Sequence, residues 1–86
     1  MKVGYYMTVG FVLIKVEPGH EFWIYKKLSD VTAVKEVYPL FGEYDFIVKI
    51  VEENFEIIGN ILSNKIRTIA GVKDTETLAE MNTFNV

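Results

Sequence analysis

Gly42-Glu43-Tyr44-Asp45 is the most concentrated polar feature in an otherwise apolar part of the chain. A glycine there permits a tight turn and close backbone approach. Asp45 can accept hydrogen bonds from an ammonium group, and neighbouring backbone donors can meet a carboxylate. A zwitterionic amino acid carries both groups. The plainer alternative is a hairpin turn in which Asp45 bonds the turn amides. Thr75 and Thr77, two apart on the last predicted strand, point two hydroxyls to one face, although ordinary strand preference also accounts for threonine there. Asp45 and the two threonines can line one site only if the faces carrying them converge.

Other residues offer less. His20 is the single histidine, beside Gly19 at the start of a predicted helix, with Glu21 as its only nearby acid-base partner. Catalysis or metal binding needs companions, and a solvated helix start is the simpler reading. Glu52-Glu53 reads as a favourable helix start rather than a paired-carboxylate site. No phosphate loop, nucleophile context or metal-ligand cluster appears, so neither cofactor nor metal is expected. Trp23, Tyr25, Tyr5 and Tyr6 suit core or rim packing, or contact with other subunits. The glycine-aromatic pattern of an RNA-binding sheet, with its flanking Lys and Arg, is absent.

The elements that must position these residues follow from hydropathy. Thr8 to Val16 is apolar on both alternating faces and reads as a buried strand. Glu17-Pro18-Gly19 punctuates it, and Phe22, Tyr25 and Leu28 at spacing three predict a helix ended by Ser29 and Asp30. Val34 to Phe41 and Phe46 to Val51 form a hairpin around Gly42-Glu43. Asn54 supplies a capping side chain, and Phe55, Ile58, Ile61 or Leu62, Ile66 and Ile69 predict a second helix, stopped by Gly71. A last strand runs from about Val72 to Met81. Ala33-Val34-Lys35-Glu36 and Gly71-Val72-Lys73-Asp74 form a weak internal echo, each leading from helix into strand.

The order β-α-β-β-α-β predicts an α+β, ferredoxin-like fold: a four-stranded antiparallel sheet with two helices on one face. Right-handed crossovers place strands one and three in the centre and strands two and four at the edges. Lys35, Glu36, Lys73, Asp74 and Glu76 fall on those edges, and Pro39 is best tolerated there.

The chain has 86 residues, 50% of them hydrophobic, with twelve Asp and Glu against nine Lys and Arg and a net charge of -3. One small domain is the natural expectation, spanning residues 8–81, with 1–7 and 82–86 as terminal extensions. The acidic balance argues against a general phosphate-backbone binder. No segment has the ~20 apolar residues of a membrane span. The absence of Cys and of a signal-like start fits a cytoplasmic protein. Both helices cover one sheet face, yet the central strands are apolar on both faces. A second copy packed sheet to sheet about a two-fold axis is the simplest cover, giving a dimeric α/β barrel.

Taken in order, Val12-Leu13-Ile14-Lys15-Val16, Glu17-Pro18-Gly19, Val34-Lys35-Glu36-Val37-Tyr38, Gly42-Glu43-Tyr44-Asp45 and Gly71-Val72-Lys73-Asp74-Thr75-Glu76-Thr77-Leu78 resemble the ligand-binding (RAM) domain of the Lrp/AsnC transcription regulators. The resemblance covers about Thr8 to Met81 and departs from the family pattern at Ala33, where Gly is frequent, and at Pro39. It implies amino-acid binding and assembly of homodimers into octamer or decamer rings, with an effector pocket at contacts between dimers. Gly42, Tyr44, Asp45, Thr75 and Thr77 match the motif positions, and Tyr38 and Leu40 neighbour them. The regulators' helix-turn-helix half has no counterpart, so direct DNA binding is not expected, and full-length regulators are candidate partners. Two other readings remain open: a small dimeric α/β-barrel enzyme of oxygenase or isomerase type, and a purely structural assembly module.

Overall fold

The computed structural model describes residues 7–81; Tyr5, Tyr6 and the expected terminal extensions at 1–7 and 82–86, except for Met7, lie outside them. The elements are β1 (Thr8–Val16), α1 (Glu21–Ser29), β2 (Val34–Pro39), β3 (Phe46–Glu52), α2 (Phe55–Ile61), a π-helical segment continuing α2 (Leu62–Ile66), and β4 (Val72–Ala79). The sheet order is β2-β3-β1-β4, with every neighbouring pair antiparallel. This is the ferredoxin-like arrangement, with β1 and β3 central and β2 and β4 at the edges.

The period of two in β1 and β3 divides their side chains between two environments. Val12, Ile14 and Val16 of β1 and Phe46, Val48 and Ile50 of β3 are buried, and meet Ile24 and Leu28 of α1 with Ile58, Leu62 and Ile66 from α2 and the π segment. Burial of each such side chain contributes about 1.5–3 kcal/mol. On the opposite face Val9, Phe11, Leu13, Ile47 and Val51 are only half-buried, and no element among the described residues covers them.

Three local readings are corrected. In α1 the buried stripe is Ile24 and Leu28, four apart, whereas Phe22 is 76% and Tyr25 41% exposed. Spacing three and spacing four mark different faces here, and the sheet meets only the Ile24 face. In α2 Phe55 is likewise exposed, so the stripe begins at Ile58. Gly71 does not stop that helix, which ends at Ile66. It instead adopts φ +97° at the entry to β4, and an added Cβ would lie 2.7–2.9 Å from His20 side-chain atoms. Its carbonyl accepts from the Glu17 amide at 2.8 Å, tying the β1–α1 turn to the start of β4.

Asn54 caps α2 as expected, its Oδ1 accepting from the Ile57 amide at 2.9 Å. The edge strands end earlier than expected, β2 at Pro39 and β4 at Ala79. Among the described residues no helix is long and apolar enough to cross a membrane.

Candidate functional site

The loop between β2 and β3 is anchored through Asp45. Its Oδ2 accepts from the Val16 amide at 2.8 Å, its own amide donates to the Ile14 carbonyl at 2.8 Å, and its carbonyl accepts from the Leu40 amide at 2.9 Å. Ile14 opposite Phe46 is the last β1–β3 pair. Just beyond it, the half-buried carboxylate provides Val16 with an acceptor from a side chain rather than from the ladder. Asp45 therefore bonds a neighbouring strand, not the turn amides considered in the simpler sequence reading.

The preceding residues project outward. Gly42 has φ +118°, in the region that disfavours any side chain. Phe41 beside it is fully exposed, and Leu40 partly so. An aromatic ring in open solvent at a loop tip offers a contact point to an apolar partner.

Tyr44 turns back across the open face of the sheet. Its hydroxyl donates to Glu76 Oε1 at 2.8 Å, and the Lys15 ammonium lies 5.8 Å from its ring centroid. The hydrogen bond to Glu76 pushes the Tyr44 pKa up to about 12, with desolvation and the negative charges of Glu76, Glu43 and Asp74 acting in the same direction. Tyr38 behaves similarly on the far edge: its hydroxyl donates to Glu36 at 2.9 Å, and that bond, followed by the charge of Glu36, raises its pKa. Glu36 also pairs with Lys49 at 3.7 Å. This pair accommodates a charge on central strand β3, which hydropathy alone left unplaced.

Register separates the remaining candidates. Tyr38, Ile47, Leu13 and Glu76 form one row across the open face. Thr75 opposes Ile14 and Thr77 opposes Val12, so both threonines stand on the helix-covered face of β4. Thr75 Oγ1 accepts from Arg67 Nε at 3.1 Å. It helps line a concavity of about 350 Å³ with Arg67, Val72, Lys73 and Asp74. Because β2 and β4 are opposite edges, Tyr38 and Thr75 are separated by about 14 Å of sheet as well as by its thickness. The structure thus joins Tyr44 to the open face and Asp45 to β1, and places Thr75 and Thr77 on the face opposite to Glu76, the partner of Tyr44.

Three participants were not singled out from the sequence as site residues. Glu76 and Lys15 flank Tyr44, and Arg67 holds Thr75. Lys15 had a signal, as a cation at the end of an apolar run. Arg67 had none, because its partner depends on how the turn after the π segment meets β4.

Residues 9–85 match the family model for the Lrp/AsnC ligand binding domain. The HTH-type transcriptional regulator FL11 of Pyrococcus horikoshii is 36% identical over 78 residues, covering 91% of this chain and 51% of its own. The chain spans about half the length of the curated relatives it matches. Among solved structures, FFRP-DM1 superposes with a TM-score of 0.81 at 30% identity, over 86% of this chain and 99% of that one. AsnC of E. coli gives 0.82 at 28% identity, over 92% of this chain and 53% of that one. The same domain thus occurs both as nearly a whole chain and as about half of a longer one.

Proposed function

Because the chain belongs to the Lrp/AsnC ligand binding domain family, we propose that it is a non-enzymatic, cytoplasmic amino-acid-binding and assembly domain whose effector site is completed by two chains. One observation carries this reading. The motif residues are divided within a single chain: Phe41 and Gly42 project outward from the loop, Tyr44 bonds Glu76 on the open face, and Thr75 and Thr77 stand on the helix-covered face of edge strand β4. Contact between the loop of one copy and the β4 edge of another would unite them. In such a site Asp45 takes the ligand ammonium through the oxygen not engaged by Val16. Backbone donors around Gly42 take the carboxylate, and Thr75 or Thr77 orients the ligand.

The half-buried apolar residues on the open sheet face support the homodimer as the unit of assembly. Rings of such dimers would place the loops between dimers. Ligand binding and assembly are then linked, each favouring the other. Full-length regulators of the family are the partners with which such a domain would mix.

Isothermal titration with the common amino acids, on wild type and on Asp45→Asn, tests the site. The substituted side-chain amide keeps an acceptor for Val16 and removes the charge, so the expected result is heat with wild type and loss of about tenfold or more in affinity in the variant. Equal binding in both removes Asp45 from the site. No heat with any amino acid overturns the sensing role and leaves assembly alone.

A further inference from the structure

We propose that the concavity between the end of α1 and the π segment is a second ligand site, separate from the β2–β3 loop, for a small zwitterion with an apolar side chain. The concavity measures about 410 Å³. Val31, Ala33, Ile61 and Ile69 supply its apolar lining; Ala33 belongs to the core, and the two isoleucines pack against it. Thr32 and four charged residues complete the wall, the charges being Lys27 from α1, Asp30 at its C-cap, Glu52 at the end of β3 and Lys65 from the π segment.

Two cations and two anions around an apolar floor specify a narrow class of ligand. Among the described residues the one ion pair is Lys49 with Glu36, on the other face of the sheet, so these four charges do not neutralise one another by direct contact. A simple anion would meet Asp30 and Glu52, and a simple cation would meet Lys27 and Lys65. A molecule bearing both an ammonium and a carboxylate satisfies both signs, and an aliphatic side chain covers the floor. An α-amino acid has that composition.

The π segment contributes to the construction. Its five-residue bond, from the Arg67 amide to the Leu62 carbonyl at 2.8 Å, widens the helix at a place where regular α geometry would be more stable. In an uninterrupted α-helix each fourth residue drifts by about 40° around the axis. The wider turn offsets that drift, so Ile61 and Lys65 reach the same concavity, where Ile69 joins them from the turn that follows the segment. On the opposite wall the Lys27 ammonium sits 4.5 Å from the Trp23 ring centroid, a contact that restricts where its charge can go.

The test is amide chemical-shift mapping during titration with glycine, L-alanine and L-leucine, together with N-acetyl-L-leucine and L-leucinamide, which each lack one charge. Saturable shifts at Ala33, Lys65 and Ile69 are expected, with affinity rising from glycine to L-leucine and falling at least about tenfold when either charge is blocked. Lys65→Gln and Glu52→Gln should weaken these shifts and leave any at residues 40–45 unchanged. Asp45→Asn should do the reverse, which separates this site from the loop site. Shifts confined to residues 40–45, no shifts with any probe, or equal binding of the charge-blocked leucines would overturn the proposal.

Discussion

The Tyr44 hydroxyl is held by Glu76 in a way that makes its proton part of the folded state. Its pKa is raised to about 12 from 10. Between those values the folded chain keeps a proton that the unfolded chain has released. The stabilisation is therefore complete below pH 10 and is lost as pH rises towards about 12. Ultraviolet titration should show a late tyrosine transition near the upper value, absent in Tyr44→Phe and moved back towards 10 in Glu76→Gln. Asp45 is a different case, because its carboxylate completes the bonding of Val16. Asp45→Ala leaves the Val16 amide without that acceptor and should cost about 1–3 kcal/mol by urea denaturation, whereas Asp45→Asn should cost less. The pair of substitutions distinguishes the structural use of this residue from its proposed use in binding.

Among the elements, the turn before β4 depends most sharply on one residue. Gly71 combines φ +97° with contact against His20 close enough to exclude a Cβ. Gly71→Ala should destabilise by about 1–3 kcal/mol. In a His20→Gly background the steric part disappears and a cost of about 1 kcal/mol from the backbone conformation should remain. Equal costs in both backgrounds would show that His20 exerts no steric constraint. At the other helix start, Asn54→Ala removes the acceptor for the Ile57 amide and should cost about 0.5–2 kcal/mol. That cap was legible because Asn directly precedes the apolar period of α2. The role of Gly71 was not, since its clash involves a residue about fifty positions earlier in the chain.

For the whole molecule, one sheet face is sealed by α1 and α2 and the other carries Val9, Phe11, Leu13, Ile47 and Val51 half-buried. Phe11 lies between Leu78 and Lys49 in the cross-strand register, near the middle of that surface. If this face joins two copies, sedimentation equilibrium at low micromolar concentration should give twice the chain mass of 9.9 kDa. Phe11→Asp should then return the monomer, because an unpaired carboxylate cannot be buried cheaply in such an interface. A monomeric wild type would refute the dimer and, with it, the sharing of the site between chains.

The element order, the central and edge strands, and the cap at Asn54 were determined by the sequence, because each rests on local hydropathy, handed connections or adjacent residues. The resemblance to the Lrp/AsnC ligand-binding domain also marked Gly42, Tyr44, Asp45, Thr75 and Thr77. Which face each of them occupies was decided only by the tertiary structure. The pairing of β4 with β1, which sets Thr75 opposite Ile14 and Thr77 opposite Val12, and the bonds of Asp45 to Val16 and Tyr44 to Glu76 set that placement through contacts distant in sequence. A side chain's type is local information, whereas the partner that occupies its oxygen, as Val16 occupies Asp45 and Glu76 meets Tyr44, is created by folding.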